Sequence, residues 1–331
     1  MHSYFPSVVS FSNTKDSIQS PPNDSDDYGQ QLADAVDVQE IDTNLYASKQ
    51  LWLPLGSRGA FGGQIVAQAL RAAFHTTPKT FMVHSLHSYF ILPGDVSIPM
   101  LYEVIPLRDG RSFATRFVRA KQRGKAIFVC TCSFTKTSDE ISVEHQSTMP
   151  NVPEPDAVKS AEELLEQALT KNNLTAKYRD YLQKRIDEER PVDYRDVDPQ
   201  DIKDNDRRNN GNLQRSARWC KTRGRLADDP QLHACVIAYI SDSAFLFTAA
   251  KATGIPRRGF GMMASLDHSI YFHKDMRADE CPRSGDGRGV SFGRIYTKGG
   301  MLAVTTSQEG LIRLTKTQQE KLRLENGDSK L

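Results

Sequence analysis

Three polar residues in separate stretches of the second half could act on one substrate: an aspartate, a serine and a glutamine. Asp242 lies within the apolar run from Cys235 to Phe247. A carboxylate there is costly to bury unless it is paired or used. Ser265 stands just before Leu266-Asp267-His268-Ser269, at the start of a strand-like run, and Gln308 sits in Thr305-Thr306-Ser307-Gln308-Glu309-Gly310. None of the three is a strong nucleophile. Together a carboxylate, a hydroxyl and an amide can fix one water molecule and accept its proton, which is the chemistry of general-base hydrolysis.

Other patterns are weaker. Gly289-Val290-Ser291-Phe292-Gly293 matches the nucleophile elbow G-x-S-x-G, but an elbow needs a buried strand before it and a helix after it. Here Arg283-Ser284-Gly285-Asp286-Gly287-Arg288 precedes it and a strand-like run follows, so Ser291 is expected to be a strand residue after a turn. His84 and His87 lack the glutamate and spacing of a zinc motif. Three apart in a strand, they point to opposite faces and read as structural. Cys130 and Cys132 alternate along an apolar stretch with no second ligand pair nearby, so metal ligation is not expected. Asp198, Asp201, Asp204 and Asp206 fit no calcium-loop spacing, and the run from Pro191 to Asn212 reads as a solvated linker.

These residues need elements to place them. Residues 1–35 are polar and aperiodic and are expected to be a disordered tail. Gly62 to Phe74 reads as a helix rich in small residues, followed by strands over 81–92 and 98–107 and by two strands within 112–134, split at Arg123-Gly124-Lys125. Two charged amphipathic helices, 157–170 and 176–190, follow an irregular Pro-rich stretch. Then come a helix over 232–252, a strand over 264–272 and a hairpin of 290–297 with 301–314. The second half thus echoes the first. His87-Ser88-Tyr89-Phe90 returns as His268-Ser269-Ile270-Tyr271-Phe272, and Gly124 and Gly300 occupy equivalent turns. Two copies of one helix-plus-antiparallel-sheet unit are expected, as an N-terminal unit over 36–137, a helical linker over 138–190, a C-terminal unit over 191–320 and a tail over 321–331.

Composition narrows the function. A net charge of +2 with interleaved signs gives no support for nucleic acid as a partner. Five cysteines without a CxxC pair point to reduced thiols in an intracellular protein. No run approaches the ~18 apolar residues that span a bilayer. The chain closes on Ser329-Lys330-Leu331, the tripeptide address read by the peroxisomal import receptor, so the peroxisomal matrix is the expected location.

The segments Phe61 to Leu70, Val83 to Phe90, Leu107 to Phe113, Tyr239 to Asp242, Ser265 to Ser269 and Gln308 to Gly310 resemble, in order, those of the acyl-CoA thioesterase II family. The resemblance implies an α+β double hotdog, two antiparallel sheets each wrapped around a long helix. It implies hydrolysis of fatty acyl-CoA, no cofactor or metal, and a homodimer or higher homo-oligomer. The family's catalytic aspartate, hydroxyl and glutamine fall on Asp242, Ser265 and Gln308. An acyl-CoA-binding protein with impaired turnover and a hotdog enoyl-CoA hydratase are the alternatives. The hydratase would need an Asp/His pair, and the neighbours Asp267 and His268 face opposite ways in a strand. One interval departs from the pattern. Where family members carry a strand after the equivalent of Asp279-Glu280, residues 275–289 hold no strand-grade run, a deficit of roughly seven residues, the length of one short strand.

Overall fold

The computed structural model describes residues 25–136, 145–188, 190–198, 217–243, 245–251, 255, 259–278, 283–285 and 290–327. The first unit opens with helix α1 (Ser25–Val36) and the hairpin β1 (Val38–Asp42) and β2 (Leu45–Ser48). It continues with α2 (Gly62–His75), β3 (Phe81–Phe90), β4 (Leu101–Asp109), β5 (Phe113–Gln122) and β6 (Lys125–Lys136). Two helices, α3 (Ala161–Leu169) and α4 (Ala176–Ile186), lead to the second unit. There β7 (Val192–Val197) and β8 (Ala217–Thr222) precede α5 (Pro230–Ser241), α6 (Phe245–Lys251), β9 (Phe260–Ser265), β10 (Asp267–Phe272), β11 (Arg283–Gly285), β12 (Val290–Tyr296), β13 (Leu302–Leu314) and α7 (Lys316–Gly327).

Among the described residues all thirteen strands join one antiparallel sheet in the order β1-β2-β4-β5-β6-β3-β10-β13-β12-β11-β8-β7, with β9 paired to the far end of β13. Each unit therefore arranges its strands alike, and the units meet where β3 lies against β10, with Asp267 opposite Tyr89 and Tyr271 opposite Ser85. This is the double hotdog that the sequence leads one to expect. The turns at Gly124 and Gly300 both need left-handed backbone, with φ of 74° and 84°, which glycine adopts without steric cost.

The core lies between the sheet and the helices. α2 has no charged face and is buried nearly all round by Ile65, Val66, Ala69, Leu70, Ala72 and Ala73, as expected of a helix inside a protein. Its two buried amides are satisfied. Gln64 and Gln68 both donate to Ala35 O and Gln50 O, and the Tyr102 hydroxyl donates to Gln68 at 2.6 Å. α5 packs directly on α2.

Five expectations need correction. The tail expected over 1–35 is helical from Ser25 onward, because Leu32 and Val36 of α1 are fully buried. The stretch from Pro191, read as linker, begins with β7, which pairs with β8 from Val192↔Thr222 to Val197↔Ala217. The single helix expected over 232–252 breaks at Asp242 into α5 and α6, and the strand expected over 264–272 divides into β9 and β10. Finally, residues 275–289 do hold a strand. β11 bridges β8 and β12 through three residues, Arg283 to Gly285. Its counterpart β4 has nine, so the position is filled but shortened. The tripeptide 329–331, residues 1–24, Glu280-Cys281 and the acidic run beyond Asp198 lie outside the described residues. No helix among the described residues is long and apolar enough to cross a membrane.

Candidate active site

Asp242 is the residue at which α5 ends, with φ −86° and ψ −12°. Gln308 is fully buried on β13 and donates through Nε2 to Asp242 Oδ1 at 2.6 Å. On its other side the carboxylate meets the start of α2. The Gly63 backbone N–H donates to it, and a Cβ added at Gly62 would lie 2.7 Å from Oδ2. The residue preceding α2, Phe61, supplies no side-chain cap. The carboxylate thus caps a helix of the other unit, where unpaired N–H groups and the positive end of the helix dipole favour an anion.

The surroundings are otherwise apolar. Phe61 packs edge-on against Tyr239 at 4.9 Å, and the Phe90 ring would touch a Cβ at Gly62. Burial raises the Asp242 pKa from the ordinary carboxylate value to about 6, against the lowering effect of the Gln308 and Gly63 hydrogen bonds. The group is therefore held ionised at neutral pH and protonated a little below it.

Gln308 sits where β13 changes partners. β10 pairs with it as far as Ser269↔Ser307, and β9 takes over at Ser265↔Gly310. At the join Asp267 Oδ1 and Leu266 close the gap by pairing with the backbone of Glu309. Ser265 and Gly310 are opposite each other, so their side-chain positions share a face. A Cβ at Gly310 would strike Leu246, so this is the face toward α6 and toward Asp242. Ser265 is diagonal to Gln308, at roughly 7–8 Å between backbones. No hydrogen bond links Ser265 to Asp242 or Gln308 in the structure, whereas Gln308 Oε1 is buried without a partner. The structure thus joins Asp242 to Gln308 directly and sets Ser265 on the neighbouring strand.

The remaining candidates separate from this point. Ser291 lies in β12 opposite Gln308, with strand on both sides of it, so there is no elbow. His84 bonds Ser133, and His87 bonds Ser269. Cys130 and Cys132 are buried with sulfurs 3.8 Å apart. No cluster of three or more metal-ligating side chains occurs among the described residues. A cavity of about 800 Å³ beside Trp219, Arg195, Lys221 and Lys298 includes none of the site residues.

Two features escaped the sequence reading. Gly62-Gly63 was read only as a helix start, although an uncapped helix opening on two glycines leaves room for an acceptor from elsewhere. The second is the clamp on the turn after Asp242. Arg218 forms a two-pronged ion pair with Asp196 at 2.6 and 3.0 Å, lies over the Tyr194 ring and donates to Ser243 O at 3.3 Å. From the other side, Ser241 bonds the buried His268 at 2.9 Å. Burial pushes that imidazole down to a pKa of about 3, which keeps it neutral.

A family model described as the acyl-CoA thioesterase N-terminal domain matches residues 50–135, and one described as the C-terminal domain matches 166–312. The chain belongs to the acyl-CoA thioesterase family. As a member it is a thioester hydrolase by descent and fold. It is 39% identical over 298 residues to acyl-coenzyme A thioesterase 8 of Mus musculus, covering 86% of this chain and 89% of that protein. It is 29% identical over 312 residues to peroxisomal acyl-coenzyme A thioester hydrolase 1 of Saccharomyces cerevisiae, covering 78% and 87%. Among solved structures, that of an acyl-CoA thioesterase II TesB2 from Mycobacterium marinum superposes with a TM-score of 0.69 at 30% identity, over 86% of this chain and 99% of that one.

Proposed function

We propose that this thioesterase hydrolyses fatty acyl-CoA to free fatty acid and coenzyme A with a water molecule held by Asp242, Gln308 and Ser265. The observation that carries the reading is the Gln308 amide. Its N–H₂ donates to the carboxylate at 2.6 Å, while its oxygen is buried and unpartnered. A buried acceptor of this kind normally has a partner, and a water between it, the carboxylate and the Ser265 hydroxyl would supply one.

In the reaction the water oxygen attacks the thioester carbonyl carbon as Asp242 accepts a proton. The carbonyl oxygen becomes an oxyanion, which backbone N–H groups or the Gln308 amide would stabilise as donors. The intermediate then collapses, the C–S bond breaks, and the sulfur leaves with the proton that Asp242 had taken. A base with pKa about 6 is matched to this task, being ionised at neutral pH yet basic enough to help.

Location in the peroxisome rests on the terminal Ser329-Lys330-Leu331, through which the import receptor would bind, and on similarity to the yeast peroxisomal protein. A fluorescent fusion that keeps its punctate distribution after loss of the tripeptide would argue against that address.

The chemistry is tested by incubating the purified chain with palmitoyl-CoA and a thiol reagent. Release of coenzyme A should greatly exceed that of the Asp242→Ala variant, and equal rates for the two would refute the assignment of Asp242.

A further inference from the structure

The loop that leads into α2 carries a single arginine, in Ser57-Arg58-Gly59. The loop is held on both sides of it. Leu55 N–H donates to Glu188 Oε1 at 3.0 Å, and Ser57 N–H to Pro54 O at 2.9 Å. Beyond the arginine, Ala60 N–H donates to Gly94 O and Phe61 N–H to Trp52 O, both at 2.9 Å. Gly59 is pressed so closely against Gly94 that an added Cβ would lie 2.9 Å from its carbonyl oxygen. The backbone at Arg58 is therefore fixed, while its side chain is exposed.

That side chain reaches from the first unit to the second. Nη1 donates to Met262 Sδ on β9 at 3.6 Å, and a thioether is a weak acceptor. Among the described residues no carboxylate pairs with Arg58, whereas Arg71, Arg116, Arg119 and Arg218 each have one. Arg58 stands four residues before Gly62, which abuts Asp242. Met262 stands three residues before Ser265, roughly 10 Å along the strand. Gly62 and Ser265 are only partly buried, while Gly63 and Gln308 are buried, so the site opens between the start of α2 and β9. Arg58 spans that opening. It is not a partner of the base, because burial and the hydrogen bonds of Gln308 and Gly63 set the Asp242 pKa.

We propose that Arg58 grips the phosphate groups at the nucleotide end of coenzyme A while the thioester lies at Asp242. The proposal deepens the reading of the chain as an acyl-CoA hydrolase and rests on it. Coenzyme A is a polyanion, which an ionised Asp242 repels; a cation at the mouth of the site offsets that repulsion. A guanidinium presents a planar fork that takes two phosphate oxygens at once, and this one has only a thioether contact to give up. The pantetheine arm separates the phosphates from the sulfur, so the group that holds them must stand along β9 from Ser265 rather than beside it. The other basic cluster, around the cavity beside Trp219, does not meet these conditions. Arg195 is paired with Asp193 at 2.9 Å and Lys298 with Glu154 at 3.6 Å, and the cavity includes none of the site residues.

Calorimetric titration of the full chain with two thioethers that cannot be hydrolysed tests this apart from catalysis. One is S-octyl coenzyme A; the other is S-octyl pantetheine, which has the same arm and no phosphate. Arg58→Ala should weaken binding of the coenzyme A thioether about 10-fold at low salt, by a factor that shrinks as salt is added. Its binding of the pantetheine thioether should equal that of the wild type. Arg58→Lys keeps the charge and loses the fork, so it should fall between the two, and it decides in place of the alanine variant should that one not fold. Lys298→Ala removes the same charge at the distant cavity and should change neither affinity. An Arg58→Ala protein that binds the coenzyme A thioether as the wild type does, or that loses both thioethers equally, would overturn the proposal alone. A wild type that binds neither compound would sink the acyl-CoA reading itself, and this proposal with it.

Discussion

The two units follow one plan and part company where Asp242 and Gln308 sit. In the first, β3 runs unbroken for ten residues, β4 for nine and α2 for fourteen. In the second, the counterpart of β3 is divided into β9 and β10, that of β4 shrinks to the three residues of β11, and the helix stops at Ser241 and restarts at Phe245. The turn glycines calibrate the difference. Eight residues past Gly124 stands Cys132, and eight past Gly300 stands Gln308, both fully buried. One position is filled by a thiol among apolar neighbours; the other holds an amide with an unsatisfied oxygen. A complete hydrogen-bond ladder and a polar centre compete for the same backbone. The first unit keeps the ladder, and its further contribution is the free start of α2. The second gives up regularity and brings a carboxylate and an amide into contact.

If that is so, making Asp242 neutral should remove the function and relieve the strain together, which is the largest effect expected. Asp242→Asn keeps the shape and, with the Gln308 amide turned over, keeps a hydrogen bond. Thioester hydrolysis should fall on the order of 10³-fold, as for loss of a general base. Stability should move the other way. The folded pKa of about 6 lies above the free value of 3.8, so the stability at stake is present below pH 3.8, is lost as pH rises through 6, and at pH 7.5 amounts to about 3 kcal/mol. Asn carries no such penalty. The variant should melt several degrees higher than wild type at pH 7.5 and no higher near pH 4. His268, whose pKa is lowered, acts oppositely: the stability it contributes is present above 6.5 and lost as pH falls toward 3. It is common to both proteins, so the difference between them isolates Asp242. A melting difference independent of pH would show that the carboxylate is not strained.

A smaller effect tests whether the first unit contributes through α2. Gly62→Ala should add helix propensity worth about 1 kcal/mol, yet its Cβ would stand 2.7 Å from Asp242 Oδ2 and 3.0 Å from the Phe90 ring. The carboxylate must swing away from Gly63 N–H. We expect a loss of about 10-fold in kcat. The acidic limb of the pH profile should also move above 6, since a hydrogen bond that lowers the pKa is gone. An unchanged profile would mean that the start of α2 is only structural.

The sequence made much of this plan legible. The repeat was visible in the paired His-Ser motifs and the turn glycines, and the strands of the first unit emerged because their alternation is regular. Asp242 stood out as a carboxylate in an apolar run, Ser265 and Gln308 as polar residues on strand-like stretches, and the family resemblance implied their catalytic roles. The breaks were not legible. A run such as Cys235 to Phe247 is apolar on all sides and carries no period that marks an interruption, because its stop is imposed by contacts from β13 and α2. β11 is three residues with no hydrophobic pattern, recruited by two waiting neighbours. Tertiary hydrogen bonding decided these places, and local propensity does not report it.

The smallest expected effect concerns the clamp that holds the second unit's break in position. Arg218 reaches Ser243 O only because its guanidinium also grips Asp196 with two prongs. Arg218→Lys keeps the charge but loses the fork, so it can hold one partner and not both. The turn after Asp242 should loosen, while the charge of the pair is unaltered. Activity should fall about 3- to 10-fold, through kcat rather than KM, and the limb near pH 6 should stay in place because Arg218 acts through backbone position. A shift of that limb would instead make Arg218 an electrostatic partner of the carboxylate. The irregularity of the second unit would then be a consequence of placing opposite charges together, and not of presenting an amide and a carboxylate to a water.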